Sequence, residues 1–280
     1  MGMLLGIYVD EIIRRAISED INYIDLATDL LLDDDAVTTA EFVSKDEGVL
    51  AGIDVALRVF TLMDDTIETE RLITDGTVVH KGDIIARVTG HTKSILKSER
   101  TALNLLCHMS GVATATNRLV KACEGTHASI ADTRKTTPGL RALEKYSVMI
   151  GGGRNHRFNL SDAAMLKDNH IDAYGSITGA VTALRAKIGH MAKIEIEART
   201  MEDMLEGIAA GADVVMLDNM SVEQMTECVK AADGRVLLEA SGNIDIATVA
   251  AVARTGVDII SSGAITHSAK VFDISLKVRR

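Results

Sequence analysis

From about residue 128 onward, short aliphatic or β-branched runs alternate with stretches of helical periodicity, as βα units around a parallel sheet require. The runs are Ser129 to Asp132, Ala164 to Lys167, Lys193 to Glu197, Asp213 to Asp218, Val236 to Ala240 and Val257 to Ser261. The last four begin 20 to 23 residues apart, room for one strand, one helix and two loops. Six such units predict a closed or nearly closed, TIM-like α/β barrel. A doubly wound open sheet is the rival, but no G-x-G-x-x-G follows any run. Between Val37 and Gly90 the pattern differs: short strand candidates are separated by turns such as Asp75-Gly76 and Lys81-Gly82-Asp83, which predicts a small α+β open-sandwich domain with an antiparallel sheet. From Ser94 to Lys121, Leu96, Leu103, Leu106, Met109 and Val112 recur at helical spacing, with Ser110-Gly111 marking a break. The closing run Phe272 to Val278 alternates and predicts an extra strand returning to the first domain. The expected division is 1–110 with 270–280, and 111–269.

Composition narrows the class. A chain of 280 residues that is 47% hydrophobic can bury a large core. Met1 to Asp10 carries no basic leader, its apolar run ends at Asp10 and Glu11, and no stretch nears 18 uncharged apolar residues, so a cytoplasmic protein with no membrane partner is expected. Cys107, Cys123 and Cys228 are odd in number and without a C-x-x-C pair, which indicates neither a disulfide framework nor a zinc ribbon. A formal charge of −10 argues against nucleic acid as a partner. That average hides a reversal: from Arg134 to His170 there are seven Lys or Arg (Arg134, Lys135, Arg141, Lys145, Arg154, Arg157, Lys167) against Glu144, Asp162 and Asp168, net +4, leaving −14 for the rest. A pocket for a small anion is expected there.

In α/β barrels the active site forms at the C-terminal ends of the strands, and here those ends are polar. They read Asp132-Thr133-Arg134-Lys135, Lys167-Asp168-Asn169-His170, Glu195 and Glu197, Asp218-Asn219, Glu239 with Ser241-Gly242-Asn243, and Ser261-Ser262-Gly263. Strand alternation puts Lys193, Glu195 and Glu197 on one face, pointing inward, and Ile194 and Ile196 on the other. Buried charges are expensive unless paired or metal-bound, so this trio calls for a function. Arg134 and Arg157 offer forks for carboxylates, while Lys135 and Lys167 suit phosphate. Ser241-Gly242-Asn243 and Ser262-Gly263 fall between strand and helix, where free backbone N–H groups attract anions. Glu197 and Asp218 are hard oxygen donors suited to Mg2+. Singly, each has an ordinary reading: Arg134-Lys135 a solvated loop, Ser221 with Gln224 a capping box, His156 and His170 structural histidines, Gly151-Gly152-Gly153 a pliant backbone. What raises them is their shared position at one end of successive strands.

Thr133-Arg134-Lys135-Thr136-Thr137-Pro138-Gly139, Gly151-Gly152-Gly153-Arg154-Asn155-His156-Arg157 and Leu166-Lys167-Asp168-Asn169-His170 resemble the quinolinate phosphoribosyltransferase family. The likeness continues through Lys193 to Ala198, Leu217-Asp218-Asn219, Glu239 to Asn243 and Ser262-Gly263 and covers nearly the whole chain. It implies phosphoribosyl transfer from PRPP to quinolinate with loss of CO2, giving nicotinate mononucleotide on the way to NAD. Quinolinate would be bound by Arg134, His156, Arg157 and Lys167, and PRPP by Lys135, Glu197, Asp218, Ser241, Gly242 and Gly263, with Asn243 and Ser262 in the same loops and Mg2+ at Glu197 and Asp218. Lys135, Glu197 and Asp218 would carry the chemistry. It also implies a homodimer in which Arg100 reaches the partner's site, and leaves larger assemblies open. Some relatives have Gly where this chain has Asn243, which supplies the same backbone N–H.

Two rivals stand beside this reading. A nicotinate phosphoribosyltransferase would release no CO2, and four cations are more than one carboxylate requires. A carrier is the other, because Asp75 to Gly90 resembles a lipoyl-type hammerhead, but a carrier leaves the strand-end charges unexplained.

Overall fold

The computed structural model describes Leu4 and residues 6 to 279; Met1–Met3 and Leu5, which open the segment read above for a leader, lie outside the described residues. In chain order the elements are α1 (Gly6–Asp20), α2 (Leu26–Leu31), β1 (Val37–Ser44), β2 (Gly48–Val49), α3 (Ile53–Met63), β3 (Glu68–Arg71), β4 (Val78–Val79), β5 (Ile84–His91), α4 (Thr92–Ala122), β6 (Ser129–Ala131), α5 (Arg141–Ile150) and β7 (Ala164–Leu166). Then come α6 (Asp168–Tyr174), α7 (Ile177–Arg185), β8 (Ile194–Ala198), α8 (Met201–Ala210), β9 (Val214–Asp218), α9 (Val222–Ala232), β10 (Leu237–Ser241), α10 (Val249–Ala253), β11 (Ile259–Ser261), α11 (Ala264–His267) and β12 (Ile274–Val278). Among the described residues no helix is long and apolar enough to cross a membrane.

The chain forms two compact units. The first comprises Met1–Asn117, Thr137–Gly152 and Ala269–Arg280. Its antiparallel sheet runs β12-β1-β5-β3, with Ala40 opposite both Val278 and Val88. Phe42 and Phe60, edge to face with centroids 5.8 Å apart, anchor a core shared with Val9, Ile13, Leu106 and Met109. Asp75, in a segment that reads as a turn, serves to tie elements together, since its carboxylate accepts the Gly52 and Ile53 amides at the start of α3 and the Tyr146 hydroxyl at 2.6 Å. The carrier-like segment is thereby fixed into a packed unit. The Tyr146 bond, together with buried Glu144 accepting from His108 at 2.8 Å, also explains why α5 belongs to this unit although it lies beyond residue 111. Helix α4 runs unbroken through Ser110-Gly111. Gly111 is there for proximity, not for flexibility: a Cβ on it would stand 2.4 Å from the Lys270 carbonyl oxygen.

The second unit comprises Arg118–Thr136 and Gly153–Ser268 and holds a six-stranded parallel sheet in the order β6-β11-β10-β9-β8-β7. All six expected strands form, within two residues of their expected limits. No ladder joins β7 to β6 among the described residues; on the side of β6 away from β11, Arg154 makes a parallel bridge with Ala131. Register places Ile130, Ile194, Ile196, Val215, Leu217, Leu238, Ala240 and Ile260 on one face, all buried. Helix packing there is close enough that a Cβ on Gly207 of α8 would meet Ile196 Cδ1 at 2.0 Å. The opposite face carries Glu195, Glu197, Met216, Asp218, Glu239, Ser241 and Ser261. The expected charged trio on the third strand is reduced to a pair: β8 starts at Ile194, and Lys193 is exposed before it.

Candidate active site

Twelve of the candidate residues stand in the second unit: ten at the C-terminal ends of its strands or in the loops that follow, and His156 and Arg157 in the segment between α5 and β7. Arg100 is the exception: it lies in the first unit, exposed on α4, beside a cleft it lines with Asn104, His108 and Asp273.

The cationic part is built by the loops after β6 and before β7. Arg134 and Arg157 are half-buried. Burial, and then the Arg134 charge, lower the pKa of the Arg157 guanidinium, against the Glu195 and Glu197 charges, which raise it. Arg157 also donates to the Ala163 carbonyl at 2.8 Å. Lys167, at the end of β7, reaches Glu197 on β8 at 2.5 Å. The helix α6 that follows Lys167 is capped by His170, whose Nδ1 accepts the Lys167 amide at 3.0 Å.

His156 sits lower. Its own amide donates to buried Asp132 at 2.8 Å, its Nδ1 accepts the Arg157 amide at 2.7 Å, and its Nε2 faces Glu195 Oε2 at 3.0 Å and Glu239 Oε2 at 3.7 Å. Glu195 and Glu239 are 5% and 2% exposed, and these three residues also form a cluster with metal-ligand spacing. Burial, and next the Glu195 charge, raise the Glu239 pKa above the ordinary carboxylate range. The strand pattern marks Glu195, within the inward trio, as calling for a function but names no specific role for it or for Glu239.

The remaining candidates lie along β9, β10 and β11. Glu197 is in register with Met216 and Asp218 with Ser241, so Glu197 and Asp218 share a face on adjacent strands. Asn219, which the residue pattern also leaves without a role, has a left-handed backbone (φ 55°) and donates from Nδ2 to Asp218 Oδ1 at 3.0 Å. Its Oδ1 fills the space beside Gly242: a Cβ there would stand 2.2 Å from it, and Gly242 has φ 108°. Asn243 is left-handed too (φ 49°), a conformation asparagine tolerates better than most residues. This loop is a turn of its own, since α10 begins only at Val249. Ser262-Gly263 directly precedes α11, a single turn of helix. The Ser262 hydroxyl donates to the Ile244 carbonyl at 2.8 Å, and Thr266 Oγ1 donates to the Lys135 carbonyl at 2.7 Å. Gly263 leaves room for the Lys135 stem, whose Cδ would be 2.9 Å from a Cβ at that position.

The chain matches the family description "Quinolinate phosphoribosyl transferase, C-terminal domain" over residues 112–277 and its N-terminal counterpart over residues 25–110. It is 44% identical over 260 residues to a probable nicotinate-nucleotide pyrophosphorylase [carboxylating] of Bacillus subtilis, covering 93% of this chain and 90% of that one. Against the nicotinate-nucleotide pyrophosphorylase [carboxylating] of Mycobacterium leprae the identity is 41% over 273 residues, covering 94% and 95%. The crystal structure of NadC from Streptococcus pyogenes superposes with a TM-score of 0.95 at 41% identity, covering 99% of this chain and 98% of that one. Matched over both of its domains and along almost its whole length, the chain belongs to the quinolinate phosphoribosyl transferase family.

Proposed function

We infer that this chain transfers the phosphoribosyl group of PRPP to the ring nitrogen of quinolinate with loss of CO2, giving nicotinate mononucleotide and pyrophosphate for NAD synthesis. The observation that carries the reading is the set of cations in the second unit, Arg134 and Arg157, both half-buried, and Lys167, which meets Glu197 at 2.5 Å. Quinolinate is a planar dicarboxylate, and guanidinium forks match carboxylates bidentately. Lys167 adds a third cation, released from Glu197 when a carboxylate or a metal takes its place. A nicotinate-specific site would need only one such clamp.

The reaction asks for no covalent nucleophile. The pyridine nitrogen attacks ribose C1 as pyrophosphate departs, so the protein orients two polyanions and neutralises charge. Lys135 suits the departing pyrophosphate, and Ser241, Gly242, Asn243, Ser262 and Gly263 the phosphate loops. Glu197 and Asp218 fit Mg2+: they are hard oxygen donors sharing one face on neighbouring strands. The ion would supply charge neutralisation on the phosphates. Once ribosylated, the ring nitrogen is cationic and stabilises the carbanion left as the adjacent 2-carboxylate departs; protonation at that carbon completes the product. His156 belongs to the quinolinate side through the Arg157 amide it holds. Arg100 is assigned to the partner subunit's site in a cytoplasmic homodimer, in keeping with its exposure on α4 of the first unit.

The test is an assay with quinolinate, PRPP and Mg2+. Nicotinate mononucleotide, pyrophosphate and CO2 are expected in equal amounts, with nicotinate a poor substitute. Efficient ribosylation of nicotinate without CO2 from quinolinate overturns the reading.

A further inference from the structure

Two buried carboxylates face His156, and no substrate-binding role requires them. Glu195 and Glu239 project from the same face of the sheet, and each has one oxygen, Oε1, buried with no hydrogen-bond partner. The aliphatic opposite face shows what a floor built only for stability would contain. A buried acid is costly unless it is paired, and replacing buried ion pairs by apolar groups is often neutral or stabilising. Stability alone therefore gives no reason for Glu195.

Its neighbour does. A backbone amide can only donate, so Nδ1 of His156, which receives the Arg157 amide at 2.7 Å, carries no proton. The ring proton is then on Nε2, and it points at Glu195 Oε2 3.0 Å away. Glu239 Oε2, at 3.7 Å from the same Nε2, is beyond hydrogen-bond reach. The His156 amide is anchored separately, on Asp132. The imidazole is thus clamped between an acceptor below and the Arg157 amide above, and the Arg157 side chain starts from that amide.

We propose that Glu195 is a positioning residue for the quinolinate site: it holds His156 in the Nε2–H tautomer, and through Nδ1 and the Arg157 amide it sets where the Arg157 guanidinium stands. The same arrangement excludes a metal at the His156, Glu195 and Glu239 cluster, because Nε2 is occupied by its proton. This rests on the reading of Arg157 as a quinolinate ligand.

Five measurements test it. Glu195→Leu removes the acceptor and raises KM for quinolinate at least tenfold, with KM for PRPP within twofold of the parent. Glu195→Gln keeps an acceptor oxygen and restores quinolinate KM to within threefold, a rescue that a purely structural role for a buried charge does not predict. In the unaltered protein, nitrogen NMR of the His156 ring, assigned by its loss in His156→Asn, shows the neutral Nε2–H form. Metal analysis of the purified protein finds no ion depending on this cluster. Arg157→Lys separates the two levels. If it leaves quinolinate KM unchanged, the ligand reading fails. If it raises that KM while Glu195→Leu does not, the positioning role fails. An Nδ1–H ring, or a stoichiometric metal lost in Glu195→Leu, overturns the proposal even if the Leu variant does not fold.

Discussion

Replacing Gly242 by Ala probes the coupling between the phosphate loop and the end of β9. Two costs can be worked from the geometry. An L-residue at φ 108° leaves the regions open to side chains, at roughly 1–2 kcal/mol. The new Cβ would lie 2.2 Å from Asn219 Oδ1 and 3.0 Å from the Asn219 amide nitrogen, so the loop or the Asn219 side chain must move. Turning that side chain away breaks its 3.0 Å bond to Asp218. A hydrogen bond to a charged group contributes about 1.5–3 kcal/mol, and the lower end applies because Asn219 is exposed. The variant relaxes by displacing the loop, and PRPP binding must then restore the geometry at a cost of about 3 kcal/mol, or on the order of a hundredfold in affinity. Calorimetric titration with PRPP measures this directly, with quinolinate affinity as the internal control. The steric share is isolated in an Asn219→Gly background, where the obstructing amide is gone and a left-handed backbone suits the new residue. Gly242→Ala should cost clearly less there. PRPP affinity within threefold of the parent for Gly242→Ala alone would refute the argument.

Arg134→Lys keeps the charge but loses the bidentate fork, so quinolinate affinity should fall about tenfold to a hundredfold, from roughly 1.5 to 3 kcal/mol, with PRPP affinity spared; equal weakening of both by calorimetry shows Arg134 misassigned. Arg100→Ala and Lys135→Ala should each be nearly inactive as pure dimers yet complement on mixing: with random exchange roughly half of the dimers are mixed, and about a quarter of all sites become intact in a two-fold dimer. Subunit exchange verified by tags without returning activity removes Arg100 from the partner's site. For Glu239, the folded-state pKa lies above its ordinary 4.5, so the folded chain keeps a proton that the unfolded chain releases. That contribution is complete below about pH 4.5 and is lost as pH rises through the folded value, so Glu239→Gln should gain stability relative to the parent over that rise. Urea unfolding at a series of pH values reads the difference, and parallel stability curves contradict it.

The sequence by itself determined the six parallel strands, the long helix and the closing strand, in order, because strand alternation and helical spacing are local properties. Ile194 and Ile196 had to face helices wherever they were placed, and the polar residues between and after them had to face the other way. Motif order along the chain was likewise enough for the family resemblance, since Arg134, Arg157, Lys167 and Asp218 carry their chemistry in residue type and position relative to a strand end. Tertiary structure decided what depends on distance between segments. Gly111 reads as a helix break until Lys270 is seen to pack against it; Asp75 reads as a turn until Tyr146 and the start of α3 are found on its carboxylate. Lys193 reads as one of an inward trio until β8 begins one residue later and leaves it exposed. Glu195, Glu239 and Asn219 gained their parts the same way. A carboxylate at a strand end is commonplace in a sequence, and only when folding brings His156 within 3.0 Å of Glu195, or Asn219 against Gly242, does desolvation turn proximity into an energetic constraint.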